Sequence, residues 1–194
     1  PALPVGVESR CELADLDLVG IHDAADVVAR LSRELPEGLS VLGGEVLDPR
    51  APSIGESLRF AHYRAEFPAD SWDEEALSER VGAFHAAGEA VVTRTAPPKN
   101  RQKRQQKIAV GKRREINLKE IVTHLAVEGP GQVAFSLRAD PSGSARPAEV
   151  LAAIFGDGAP PRGVKVLKEG VGFARRGPAA MPPEQPRAPR IHDA

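Results

Sequence analysis

Leu58-Arg59-Phe60-Ala61-His62-Tyr63-Arg64-Ala65-Glu66-Phe67 is followed at once by Ser71-Trp72-Asp73-Glu74-Glu75 and then by Leu77, Val81, Phe84 and Ala87. This stretch decides the fold class. Over 57–67 the apolar residues Phe60, Tyr63, Ala65 and Phe67 fall among polar ones in a strand-like pattern, the period of a sheet with one buried face. Ser71 or Asp73 is suited to cap a helix, because a short side-chain oxygen can accept from the free N–H groups of a first turn. The apolar positions then switch to helical spacing over 72–87, and Asp73-Glu74-Glu75 complements the helix dipole. A strand leading directly into a helix is the start of a mixed α and β architecture.

The same alternation of elements extends outward in both directions. Towards the N-terminus, Leu13, Leu16 and Leu18 interleave with Glu12, Asp15 and Asp17, which predicts a strand over 9–19. Asp23 caps a helix over 24–35 with Ala24, Val27, Val28, Leu31 and Leu35 on one face, ended by Pro36-Glu37-Gly38. A second strand is expected over 39–47, bulged at Gly43-Gly44. Towards the C-terminus, strands are expected over 89–95, 131–138 and 163–175, with helices over 119–125 and 147–155, the last opened by Pro147. Between them, 97–118 reads as a basic hairpin with arms near 104–110 and 112–118 that turn at Gly111. The expected fold is α+β and antiparallel-rich, with tandem ferredoxin-like (split β-α-β) units. The first unit, over 1–48, is incomplete; the second spans 57–175. The Pro-rich segment 177–194 is expected to be a disordered tail.

Apolar residues make up 41% of the 194 residues and aromatics only 4%, so the core must rest on Val, Leu, Ile and Ala. No apolar run approaches the roughly 20 residues that cross a bilayer, and Pro1-Ala2-Leu3-Pro4 is no signal peptide. A cytoplasmic protein is expected, with no membrane partner. Net charge is −1, but residues 1–89 hold 18 acids and 7 bases, whereas 90–114 hold 9 bases and no acid. Lys99, Arg101, Lys103, Arg104, Lys107, Lys112, Arg113 and Arg114, with Arg94 ahead of them, form the candidate surface for nucleic acid or an acidic partner. Alternate residues of a hairpin share a face, so such cations can align along a phosphate backbone. The segment contains no aromatic residue, so by itself it would read backbone and shape rather than bases. A solvated loop offsetting the acidic first half is the plainer alternative.

Two further arginines are candidate anion contacts. Arg146 stands between a Gly-Ser loop and Pro147, where a guanidinium and helix N–H groups can hold a phosphate or carboxylate; pairing with Glu149 is the structural alternative. Arg10 is the other, with an ion pair to Glu8 as its alternative. No catalytic residue and no metal site is expected. The five histidines show no metal-ligand spacing, the glycines form no phosphate loop, and the single cysteine, Cys11, excludes an internal disulfide or a cysteine-bound cluster.

Three ordered motifs carry a family resemblance. Leu3-Pro4-Val5-Gly6-Val7-Glu8-Ser9-Arg10, Lys112-Arg113-Arg114-Glu115-Ile116-Asn117-Leu118 and Gly143-Ser144-Ala145-Arg146-Pro147-Ala148-Glu149-Val150-Leu151 together resemble the radical SAM-linked protein family, a bacterial domain of unknown function, over residues 3 to 172. The resemblance implies an N-terminally truncated domain, with a strand and helix preceding Pro1. It also implies a radical SAM protein as partner, fused in cis or acting in trans, and it hints at RNA through genes for ribonuclease and ribosomal proteins. Any iron–sulfur cluster, SAM or cobalamin would belong to that fused or partner module and not to this chain.

The leading expectation is therefore a non-catalytic accessory domain of a radical SAM system that binds RNA or a ribonucleoprotein through the basic hairpin. A protein-docking domain for the radical SAM enzyme is the second reading. An enzyme acting on an anionic small molecule through Arg10 and Arg146 is the third.

Overall fold

The computed structural model describes residues 3–69, 71–95, 113–139, 145–156 and 162–173. Its architecture is mixed α+β around a mostly antiparallel sheet. The sheet is built from β1 (Val7–Ser9), β2 (Leu58–Glu66), β5 (Val122–Gly129), β6 (Gln132–Arg138) and β7 (Lys165–Phe173), in the order β1-β7-β2-β6-β5. All neighbours are antiparallel except β1 and β7. A separate antiparallel pair, β3 (Val91–Thr95) with β4 (Arg113–Asn117), forms the two-stranded sheet. Among the described residues five helices accompany these strands: α1 (Ala24–Glu34), α2 (Ile54–Ser57), α3 (Glu74–Ala86), α4 (Leu118–Ile121) and α5 (Pro147–Phe155).

Period-two alternation gives the sheet two different faces. In β2, Ala61 and Ala65 are buried, and they sit opposite Leu137 and Val133 of β6. Tyr63 lies between them and stacks on Phe135 with ring centroids 5.4 Å apart. Helices α3 and α5 cover this face with Leu77, Val81 and Phe84 from the first and Val150, Leu151, Ile154 and Phe155 from the second. Each such side chain contributes about 1.5–3 kcal/mol on leaving water. Trp72 closes one end, edge-on to Phe155 at 4.6 Å.

Helix termini follow the sequence. Asp23 accepts from the N–H groups of Ala25 and Asp26, and Asp73, rather than Ser71, accepts from Ala76. The Ser71 hydroxyl instead donates to the carbonyl of Pro68. Pro147 is the first residue of α5, and Gly156 ends it with φ +75, a left-handed turn that glycine adopts at least cost.

Several expected elements differ. The strand over 9–19 is reduced to β1, because Leu13, Leu16 and Leu18 find no sheet partner and stay exposed. No strand forms over 39–47; instead the chain passes so close to α1 that a β-carbon on Gly44 would lie 2.9 Å from Val28 Cγ2. The residues of 1–48 therefore contribute one helix and one edge strand, and that strand joins the sheet of the following segment. The helix expected over 119–125 is a single turn, α4, and Val122 to Gly129 instead pair with β6. Leu118, Ile121, Val122 and Leu125 satisfy a helical period, but β-branched side chains beside an open strand edge favour the ladder. The return arm of the basic hairpin is β4, which pairs with β3. The expected arm at 104–110, the turn at Gly111 and the tail 177–194 lie outside the described residues.

Candidate nucleic-acid interface

Arg94 in β3 stands directly across from Arg114 in β4, and Thr95 across from Arg113. Like charges in such a pair repel. The Arg94 guanidinium is held by a third element: its Nε and Nη2 donate to Glu149 Oε1 and Oε2 at 2.6 and 2.5 Å. Glu149 sits in the first turn of α5, where its Oε2 also accepts from the Arg146 backbone N–H at 2.7 Å. Burial pushes the Glu149 carboxyl up, but the Arg94 and Arg146 donors outweigh it and hold the group below its ordinary value. One carboxylate thus ties the hairpin to the helix that follows the Gly-Ser-x-Arg-Pro segment. Residues 55 positions apart in the sequence meet there.

The hairpin has an inner and an outer side. Val92 and Ile116 pack against the core, so Arg94 and Arg114, two residues along each arm, continue the inner side. Arg113 is on the outer side with Glu115, and both are exposed. At its base, Asn117 Oδ1 accepts from the N–H groups of Ala90 and Lys119, and the Leu118 N–H donates to the Ala90 carbonyl. Those bonds tie the two arms together at their base. Lys99, Arg101, Lys103, Arg104, Lys107 and Lys112 lie outside the described residues, so of the eight cations expected there the structure places Arg113 and Arg114.

Arg146 is exposed at the α5 N-terminus, and the first-turn position that an external anion would take is occupied by Glu149 of the same chain. Arg10 lies elsewhere, just after β1 at the outer edge of the sheet, where its N–H donates to the Lys168 carbonyl. No hydrogen bond or ion pair among the described residues joins Arg10 to Arg146 or to Glu8.

A polar cluster that the sequence did not reveal lies beside β1. Lys168 is buried on the helix-covered face of β7, and its Nζ donates to Glu12 Oε1 at 2.7 Å. The Ser9 hydroxyl donates to the same oxygen at 2.7 Å. The Cys11 thiol is 3.7 Å from the Lys168 carbonyl, and burial raises it above its ordinary value. Tyr63, half-buried next to the cluster, is pushed up to about 12 by burial, with the charges of Glu12 and Cys11 adding to it. The helical-covered position of Lys168 is concealed in the sequence by its neighbours Lys165 and Glu169.

The other face of the sheet carries a second arrangement. His62, Ser136 and His124 are in register across β2, β6 and β5, with His62 Nδ1 2.7 Å from Ser136 Oγ. Gly170 continues the row on β7. Among the described residues no group of three or more His, Cys, Asp or Glu could hold a metal, and no helix is long and apolar enough to cross a membrane. A cleft of about 300 Å³ behind the hairpin is lined by Ala83 and Phe84 of α3, Ala153 and Ile154 of α5, and Ala87, Glu89, Ala90 and Val91, with Glu89 as its one charged lining residue.

A family model for uncharacterized proteins conserved in bacteria (DUF2344) matches residues 1–147. The chain belongs to this family. The matched part of the family includes β1 to β6, the β3–β4 hairpin and Arg146 at the start of α5. No curated protein and no solved structure matches the chain.

Proposed function

We propose that this chain is a non-catalytic accessory module that binds RNA or a ribonucleoprotein through its basic hairpin, beside a radical SAM enzyme supplied in cis or in trans. One observation carries the RNA reading: the arms that frame the cationic segment 96–112 are a built, anchored hairpin. Asn117 braces its base, and Arg94 and Glu149 clamp it to α5. A solvated loop offsetting acidic charge would need no such anchor. The radical SAM partner rests on the three motif resemblances, and a cytoplasmic location goes with it. We read β2, α3, β5, β6, α5 and β7, with strands in the order β7-β2-β6-β5, as a ferredoxin-like unit whose first crossover carries the hairpin as an insertion.

Filter binding of total cellular RNA tests the reading. The full chain is expected to retain RNA with an affinity that falls steeply with salt, because each neutralised phosphate releases counterions. Replacing Lys103, Arg104, Lys112 and Arg113 with Ala should abolish retention. Absence of salt-sensitive retention by the intact chain overturns the proposal. Recovery of a radical SAM protein with this chain after nuclease treatment, together with that absence, would favour docking instead.

A further inference from the structure

The basic segment lacks rings, and a hairpin of lysines and arginines alone would hold any polyanion. The sheet supplies what the hairpin lacks. Its face away from α3 and α5 is built from Phe60, His62 and Arg64 of β2, Ala134, Ser136 and Arg138 of β6, and His124 and Ala126 of β5. Small side chains occupy the middle of this face, and Gly170 and Gly172 of β7 leave its neighbouring strand bare. A β-carbon on Gly172 would lie 3.3 Å from Phe60 Cδ2, and one on Gly170 3.5 Å from His62 Cδ2. Both rings therefore lie over glycine backbone, spread across the sheet rather than standing off it. His62, His124 and Arg138 are exposed.

Charge divides the face along the strands. Arg64 is paired with Glu128 at 3.3 Å and Glu169 at 3.0 Å, and Glu66 lies beyond it. On the other side of that row come His62, His124, Phe60 and Arg138, with no carboxylate among them. That end is where β2 and β5 begin and where β6 leaves for α5, marked by the bond from the Ala139 N–H to the Arg59 carbonyl. The hairpin reaches the same end, since β4 runs through α4 into β5 and Arg94 grips the first turn of α5.

We infer that this end of the open sheet face is a stacking surface for single-stranded nucleic acid, on which Phe60, His62 and His124 take bases and the exposed Arg138 takes phosphate. The inference rests on the RNA reading above and names its substrate class: unpaired strands rather than duplex, whose bases are not free to lie on a sheet. Stacking tolerates any base, and the Arg138 guanidinium favours a polyanion at the same place. The Arg64–Glu128–Glu169 row bounds the footprint, because its carboxylates repel phosphate.

Fluorescence anisotropy of the full chain with a labelled oligouridylate of about 12 nucleotides, against an abasic oligomer of the same phosphate count, tests this. The base-bearing strand is expected to bind at least tenfold more tightly. Phe60→Leu with His62→Ala should remove about tenfold of that advantage without altering the salt slope, while the Lys103, Arg104, Lys112 and Arg113 quadruple variant lowers the slope. His124→Ala, at an exposed position, gives a second reading that does not touch Phe60, and thermal melts confirm that each variant is folded. Equal, salt-dependent binding of both oligomers, lost only in the quadruple variant, overturns the stacking surface and leaves the hairpin reading standing. Binding of neither oligomer overturns both.

Discussion

Arg94 and Glu149 lie on elements that sequence order keeps far apart, yet two hydrogen bonds of 2.6 and 2.5 Å join them across the hairpin and α5. The Glu149 side chain is 14% exposed and that of Arg94 27%, so neither is fully shielded nor fully screened by water. A charge-assisted bidentate pair in that setting outweighs an open surface pair. The same carboxylate caps α5, so its loss would free the hairpin and the helix start together.

Glu149→Gln is expected to destabilise the fold by about 1–3 kcal/mol at neutral pH, since it keeps the size but loses the charge-assisted bonds. The pH dependence has a definite sign. Glu149 is held below its ordinary value in the folded state, so its contribution is fully present above the unfolded carboxylate value of about 4.3 and is lost as pH falls through the lower folded one. Urea midpoints measured from pH 6 downward should fall less steeply below about pH 4.3 in the variant than in the parent. An unchanged acid limb would show that the pair contributes nothing to folding.

Lys168 offers a cycle of two substitutions. Its ammonium is buried on the sheet's helix-covered face, and Glu12, in the segment after β1 with its side chain 45% exposed, meets it. Glu12→Ala leaves the ammonium without its carboxylate and should cost about 1–3 kcal/mol, discounted for the exposure of Glu12. Lys168→Met alone removes the buried charge and keeps an unbranched apolar chain in its place, so it should be near neutral. In the Lys168→Met background Glu12→Ala should therefore cost little. Chemical denaturation of the four proteins reads the coupling; additive losses would mean that the two groups do not interact.

The sequence exposes the parts of this fold that local rules control. Helices capped by Asp23 and Asp73, and the one opened by Pro147, begin within two residues of expectation, and strands at 58–66, 132–138 and 165–173 follow their alternation. What it hides depends on pairing at a distance. Thr123 to Val127 satisfy both periods, and only the edge offered by β6 selects the strand. Leu13 to Leu18 alternate as a strand should but find no neighbour to pair with. For the site, the run of cations was legible and its anchor was not. Nothing local says that Glu149 reaches Arg94 as well as Arg146, or that His62 and His124 flank Ser136, because the packing of the sheets and α5 sets both.

Burial separates two leucines of similar appearance in the sequence. Leu151 of α5 is fully buried between the helices and the sheet, whereas Leu16 remains 56% exposed. Leu151→Ala removes contacts on all sides and leaves a cavity, a loss of about 2–5 kcal/mol. Leu16→Ala should stay within about 0.5 kcal/mol. Thermal melts distinguish them, with a drop of several degrees for the first and a near-parent midpoint for the second. A large loss at Leu16 would show that the residues following β1 are held by contacts beyond those described.

Tyr63 is the one tyrosine in the sequence, so its ionisation can be followed without overlap. Its ring stacks on Phe135 while its hydroxyl end lies near Glu12 and Cys11, and burial is the largest of the effects that push it up to about 12. Tyrosinate absorbance should therefore rise with a midpoint near 12 in the folded protein, against about 10 after denaturation. Because the folded state resists losing this proton, folding stability is complete below about pH 10 and declines from there as the unfolded chain ionises first. Glu12→Gln removes one of the negative charges facing the phenol, so the folded midpoint should fall in that variant while remaining above 10. A midpoint of 10 in the native protein, or one indifferent to Glu12, would place the hydroxyl in water and away from the Lys168 cluster.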